Sequence, residues 1–311
     1  MKLMHKTKTI KRKKPINKIR VAFILLAVLF PWIDWFITYF FKVVSAFGMA
    51  FTNPADGSFT LEHFVRLFSE LTLPTSQIRI AIRNTLITFV IGFVTVPFKI
   101  LVSYFLYKKV PGHGIYRILF YLPTLLSGVA IAMVFTNLVG QNGWIAKAIG
   151  EWLDLGYTPE LLADSRFANY VIWAHMLWIS FPGDIIIWGG TFARIPVEVL
   201  ESGQIDGTNW LSEFTRIVIP LVWPTAALQL LLSVCGILGA TGAVFLLTGG
   251  EYETITLSVW MYRQQLAGVG HPDAPVLWYL SAVGFAMTVV SLALTFVIRK
   301  YTNKVFSEVE F

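Results

Sequence analysis

Cysteine is nearly missing from this chain. Cys235 stands alone inside an apolar run, which excludes an intrachain disulfide and a thiolate metal cluster and is read as a buried small hydrophobe. Charge is scarce as well. Of 311 residues, 14% are Asp, Glu, Lys or Arg and 56% are hydrophobic, a balance that a soluble globular chain of this size does not have. No G-x-x-x-x-G-K-[ST] stretch occurs, so there is no P-loop to cradle nucleotide phosphates. There is no H-E-x-x-H helix and no serine in a nucleophile elbow, and His5, His63, His113, His175 and His271 fall in different segments. A membrane enzyme thus lacks an assembled acid, base or nucleophile set, and His175, in an apolar run, is read as a packed histidine rather than a ligand. No internal repeat is evident, and no low-complexity tract beyond the basic N-terminus.

Long apolar runs are what the sequence has instead. Six reach the length needed to cross a hydrocarbon core at the rise of a helix: Val21 to Phe41, Thr85 to Tyr107, Ile118 to Val139, Asn169 to Thr191, Ile217 to Gly239 and Val276 to Ile298. The expectation is an all-α, polytopic membrane protein, with a basic segment at 1–20 and a six-span domain over 21–311. The formal charge of +7 is concentrated at the start, where Lys2, Lys6, Lys8, Lys11, Arg12, Lys13, Lys14, Lys18 and Arg20 precede the first run. That is a membrane-flanking block, which speaks for a lipid partner and against nucleic acid. The first run is too long for a signal peptide and lacks a small-residue cleavage site after it, so it is read as a retained span. With the N-terminus inside, seventeen Lys or Arg fall on the inner side and seven on the outer. The positive-inside rule then predicts both termini in the cytoplasm.

Two outer connections have helical periodicity. Leu61, Phe64, Val65 and Phe68 share one stripe, and Trp144, Ile145, Ala148, Ile149 and Trp152 another. Both are expected to be short interfacial helices, serving either as headgroup anchors or as a docking face for an outer partner.

The longest inner loop, 192–216, is expected to form a helix outside the membrane. Pro196 suits a first helical position, Glu198 and Glu201 place negative charge near the helix N-terminus, and Val197, Leu200 and Gln204 are expected to share a face. Asp206 and Gly207 break it, and Thr208 or Asn209 is available to cap a second helix. Pro220 and Pro224 follow where the chain bends into the fifth span.

This stretch resembles the "EAA" loop of binding-protein-dependent ATP-binding-cassette importer permeases. Glu201, Ser202 and Gly203 match its first triplet, Gly207 its glycine, and Ile219 and Pro220 its distal pair. The Ile205-Asp206-Gly207 stretch, Phe214, the Ile219-Pro220-Leu221 stretch and the Asn84-Thr85-Leu86 element resemble the carbohydrate branch, the maltose and glycerol-3-phosphate importer type. Both alanines of the triplet are replaced, which is expected to soften the helix by up to about 1 kcal/mol at the glycine. The resemblance implies a multi-pass subunit of a bacterial cytoplasmic membrane that is not itself an enzyme and holds no cofactor. Its implied partners are a second permease, two ATPase subunits that bind ATP and magnesium, and an extracytoplasmic substrate-binding protein. Glu198, Glu201, Ser202, Gly203, Asp206, Gly207 and Pro220 are then the residues that couple to the ATPase.

Three charges lie inside the spans, where they usually face a bundle interior or water. Lys99 is expected to snorkel and Asp34 to reach headgroups. Asp184 is the better path candidate, because Trp173, Ser180, Asp184 and Trp188 fall near one stripe, with Pro182 able to rotate it. Gln229 and Ser233, with Thr225 and Gly236, form a polar stripe on the fifth span that suits substrate contact or close helix packing. Aromatic faces beside hydrogen-bonding side chains are what a passing sugar needs. The alternative is an ion-coupled secondary transporter using Asp184 or Asp34, although paired inverted repeats and broken helices of such folds are not evident.

Overall fold

The computed structural model describes residues 18–239, 242–268 and 275–305. His271 and most of the basic N-terminal block lie outside the described residues. What is described is helical, with no β-strand, only an isolated bridge between Thr52 and Phe59. The first apolar run forms α1 (Lys18–Trp35) and α2 (Phe41–Ala50), joined by a widened π-type stretch at Phe36–Phe40. An amphipathic α3 (Glu62–Thr72) precedes the long α4 (Gln77–Tyr107). Then come α5 (His113–Leu125), α6 (Gly128–Val139), the short α7 (Trp144–Trp152) and α8 (Ala168–Phe192). The chain closes with α9 (Val197–Ile205), α10 (Trp210–Glu213), α11 (Ile219–Cys235), α12 (Gly242–Leu247), α13 (Leu257–Ala267) and α14 (Val276–Val305). Six stretches have the length and apolar character to cross a membrane, and the protein is a multi-pass membrane protein.

The third predicted span is not one helix. Leu126 and Ser127 are extended between α5 and α6, and Ser127 Oγ caps the second helix by accepting from the Ala130 amide. The 12 or 13 residues of either helix rise only about 18–20 Å, short of a hydrocarbon core of about 30 Å, so neither crosses it alone. An apolar stretch also runs over Gly128–Trp152, but the turn at 140–143 interrupts it. Pro182, by contrast, leaves α8 unbroken.

Two apolar cores are stacked along α4. Around its first turns, Ile78 and Ala81 pack with Leu67 of α3, Ile172 of α8, Trp260 of α13 and Tyr279 of α14. Toward its last turns, Val96, Ile100 and Tyr104 pack with Trp188 and Phe192 of α8 and with Phe214, Val218 and Val222 of the fifth span. α2 packs on α14, whereas side chains from Phe23 to Val44 are largely exposed. Cys235 is exposed and not buried as expected, because its neighbour Val234 takes the inward position.

Both outer helices form, and much of each apolar stripe faces outward, as interfacial helices require. In α3, Leu67 is the buried residue, while Leu61, Val65 and Phe68 point outward. In α7, Ala146 and Gly150 are buried and Trp144 and Trp152 are exposed. At Gly150 an added Cβ would lie 2.7 Å from the Tyr157 carbonyl oxygen, so the chain passes too close there for any side chain.

The segment between α12 and α13 turns through left-handed backbone at Gly249, Gly250, Tyr252 and Glu253, and at the last two this is costly. Side chains from other helices hold it. Asn84 Nδ2 donates to the carbonyls of Glu253 (2.6 Å) and Ile255 (3.0 Å), Asn169 Nδ2 donates to the Glu253 carbonyl (3.1 Å), and the Leu257 amide donates to Thr85 Oγ1 (2.8 Å). The Asn84-Thr85 pair is therefore a clamp across some 170 residues of sequence. Asn84→Ala leaves the buried Ile255 carbonyl without this donor and is expected to destabilise the protein by about 1–3 kcal/mol. Thermal unfolding in detergent, compared with the exposed control Asn137→Ala, checks this. An unchanged midpoint would show that the clamp contributes nothing.

Candidate functional site

Asp184 sits on α8 two residues after Pro182, and its carboxylate does not stand alone. Lys99 Nζ, reaching from α4, lies 2.7 Å from Asp184 Oδ2, and the two side chains are only 10% and 12% exposed. Gln229 Nε2, from α11, donates to Asp184 Oδ1. Lys99 thus does not snorkel. The reason is energetic: a lysine this deep gains more from a carboxylate within direct reach than from stretching toward headgroups, since an unpaired charge in a low-dielectric interior costs several kcal/mol.

These three side chains lie on the wall of an open cleft of about 520 Å³ between α4, α8 and α11. Thr88, Phe89 and Gly92 of α4, Met176 of α8, and Ser233, Gly236 and Ile237 complete much of its lining. Ser233 Oγ donates to the Gln229 carbonyl, and Gln229 Oε1 is buried without a hydrogen-bond partner. The cleft offers a carboxylate, an ammonium, an amide and hydroxyls beside one aromatic face. Among the described residues, no three His, Cys, Asp or Glu side chains gather to hold a metal.

Of the six predicted path residues, the structure brings Asp184, Gln229 and Ser233 together at this cleft. The other three lie apart from it. Trp188 is fully buried in the core beside Phe192 and Tyr104, with its indole N–H unpartnered. Trp173 is half-buried and meets Tyr170 edge-on, and Ser180 Oγ donates to the Leu177 carbonyl of its own helix. Asp34 is exposed on α1 and accepts from Thr38 Oγ1. His175 is buried against Phe135, 4.7 Å between ring centroids, as a packed histidine should be. Lys99 was the residue missed, although two opposite charges deep in different apolar runs are themselves a signal for pairing.

The loop beyond α8 is the second element. Pro196 precedes α9 as its cap residue with extended ψ, one position earlier than expected. Only Leu200 and Gly203 of α9 are buried, while Val197 and Gln204 face out with Glu198, Glu201 and Ser202. α9 ends in a Schellman turn: the Thr208 amide donates to the Gly203 carbonyl (3.0 Å) and the Gly207 amide to Gln204 (3.1 Å). Gly207 has φ +77°, left-handed backbone that favours glycine. Asp206 is the exposed C-terminal cap. Asn209 then caps the next helix, its Oδ1 accepting from the Ser212 amide at 2.8 Å.

That next helix does not stop. α10 passes through a π-type stretch at Phe214–Val218 directly into α11. Pro220 explains the widened turn, because its ring displaces a carbonyl one turn back and it has no N–H to give. Gly203 is the contact between the two helices, since a Cβ there would come within 2.7 Å of Ile217 Cδ1. Ile205, Trp210 and Leu211 are exposed around the turn, Ile205 at 85%.

No protein-family model matches the chain. Sequence relatives are nevertheless consistent in kind. The maltose/maltodextrin transport system permease protein MalF of Vibrio parahaemolyticus is 28% identical over 196 residues, which is 60% of this chain and 36% of that protein. The arabinooligosaccharides transport system permease protein AraP of Bacillus subtilis is 24% identical over 283 residues, 88% of this chain and 86% of the relative. A bacterial alginate ABC transporter, solved with a periplasmic protein carrying an alginate pentasaccharide, superposes with a TM-score of 0.75 at 24% identity, covering 95% of this chain and 99% of that one. The chain is similar in sequence to carbohydrate transport permeases and shares the fold of an ABC importer permease. It spans 36% of the length of the MalF relative.

In this permease fold Asp184→Ala leaves Lys99 buried without its counter-charge. The expected loss is about 3–5 kcal/mol of stability, and Asp184→Leu combined with Lys99→Met should recover most of it. Detergent unfolding of single and double variants makes the comparison. A single variant as stable as the parent would mean that Lys99 finds water or another anion.

Proposed function

We propose that the chain is one permease subunit of an ATP-driven, binding-protein-dependent importer for a sugar or oligosaccharide. The observation that carries this reading is the loop. A short helix ends in a Schellman turn at Gly207, shows Glu198, Glu201 and Ser202 outward, and leans through Leu200 and Gly203 on a helix that becomes the fifth span. A rigid body seated in a partner's groove and continuous with a membrane helix can carry displacement across the membrane face. The exposed Ile205, Trp210 and Leu211 suit such a groove. ATP and magnesium belong, in this reading, to two ATPase subunits, and this chain is neither an enzyme nor a cofactor carrier.

The cleft supports the substrate class. Carboxylate, ammonium, amide and hydroxyl groups beside Phe89 match a ligand with many hydroxyls and apolar ring faces. Its open side is consistent with a second permease completing the wall. The relatives carry names of maltodextrin and arabinooligosaccharide permeases, and a periplasmic binding protein accompanies the alginate importer. The secondary-transporter reading draws less support, because Asp184 is already tied to Lys99 and Gln229. The charge asymmetry supports a cytoplasmic side for both termini.

Co-expression with neighbouring-gene ATPase, second permease and binding protein, followed by reconstitution, tests this. ATP-dependent uptake is expected for one member of a panel of maltodextrins, arabinooligosaccharides and alginate oligosaccharides. Uptake driven by an ion gradient without ATP would favour the alternative. Gly207→Val should abolish uptake while the subunit still inserts, since a β-branched residue at φ +77° costs roughly 1–3 kcal/mol and tilts α9 off its seat. Full coupled transport in that variant would remove the loop as coupler. Reporter fusions after Glu70 and Leu155 should report the outer side and those after Thr208 and Phe311 the inner; an inner signal after Leu155 would refute the topology.

A further inference from the structure

A second carboxylate is buried where α10 meets α4. Glu213 is 3% exposed, and its Oε1 accepts from Lys108 Nζ at 2.6 Å and from the Tyr104 hydroxyl at 2.9 Å. Tyr104, 1% exposed, is wedged against Phe214 and Phe192, with ring centroids 5.0 and 6.1 Å away. Lys108 caps the end of α4, and Glu213 lies four residues beyond the Asn209 cap, on the helix that runs on into the fifth span. An acidic side chain near a helix N-terminus needs no partner to be stable. Burying it at 3% exposure against two donors from another helix is a different arrangement.

We propose that Glu213 is a positioning residue that makes α4 follow the loop, so that displacement of α9 and α10 reaches the Lys99–Asp184 cleft through α4 as well as through α11. This rests on the importer reading above. An apolar helix contact can slide along a ridge, whereas a buried carboxylate held by a half-buried lysine and a buried hydroxyl fixes both direction and register. Lys99 and Lys108 are nine residues apart on one helix, about 14 Å along its axis and on opposite faces. The same rigid rod is therefore pinned to the loop by Lys108 and Tyr104 at one level, and to α8 at the other by Lys99.

The test measures glycan taken up per ATP hydrolysed by the reconstituted complex, with the panel member that the unsubstituted complex transports. Glu213→Gln and Lys108→Met should each lower this ratio roughly five- to tenfold with the ATPase subunits still co-purifying, and the exchange Glu213→Lys with Lys108→Glu should restore at least about half of it. A residue needed only for folding would instead lower uptake and hydrolysis in step, which would overturn the proposal, as would an unchanged ratio. Should Glu213→Gln not accumulate in membranes, Tyr104→Phe, which removes only the hydroxyl, should show a smaller fall in the same ratio, and no fall there overturns the proposal. Absence of ATP-driven uptake by the unsubstituted complex would overturn the importer reading and this proposal with it, whereas normal uptake with unchanged ratios overturns this proposal alone.

Discussion

A charged lysine cannot rest among apolar helices without a counter-charge, and the Lys99–Asp184 pair is where this chain meets that demand. The pair sets the mutual register of α4 and α8, and Gln229 brings α11 to the same point. Three spans are thus fixed at one level by polar contacts, where apolar packing between helices in lipid would leave rotation and sliding cheap. The cleft lies beside this junction, lined by small residues such as Gly92 and Gly236 that keep the helices from filling it. Its polar character follows from the pairing, since the groups that satisfy each other also line its wall.

α4 is the element on which the fold turns. Asn84 and Thr85 near its start clamp the left-handed turn before α13, Lys99 reaches α8, and Tyr104 with Lys108 reaches Glu213. One helix of 31 residues, with Lys108 at its C-terminal cap, therefore reaches from the segment before α13 to the helical loop. The two larger apolar cores are built around it.

The six spans and the all-helical fold were legible because hydrophobic run length is a strong signal and bilayer thickness bounds it. The loop's turn was legible for a similar reason: Asp206-Gly207 between two helical stretches leaves glycine as the residue suited to left-handed backbone, and Asn209 is a strong cap. Helix faces were harder. Val197 and Gln204 share a stripe by spacing, yet only Leu200 and Gly203 meet the following helix, since the contact is set by where α10 passes and not by periodicity within α9. Trp188 was drawn toward the path by its spacing from Asp184 and lies in the core instead, because a four-residue step places it toward Tyr104 and Phe192, where a large ring fills the layer. Opposite charges in two apolar runs hint at the pairing of Lys99 with Asp184, whereas Lys108 and Glu213 lie outside such runs and their pairing shows only in the packed structure.

The loop's departure from the Glu-Ala-Ala pattern bears on how its rigidity arises. Glycine at 203 costs α9 up to about 1 kcal/mol of helix propensity relative to alanine, and a helix of nine residues has little propensity to spare. The compensation is contact and capping. Without a Cβ at 203, Ile217 packs against the α9 backbone where a methyl would crowd it at 2.7 Å, and Thr208 adds a hydroxyl donation to the Gly203 carbonyl at 2.7 Å on top of the Schellman pair. The carbonyl of Gly203 thus accepts from both the amide and the hydroxyl of Thr208, and the helix is held at its end and along its side by the chain that follows it. Stiffness in this loop comes from how α9 is fastened to the fifth span.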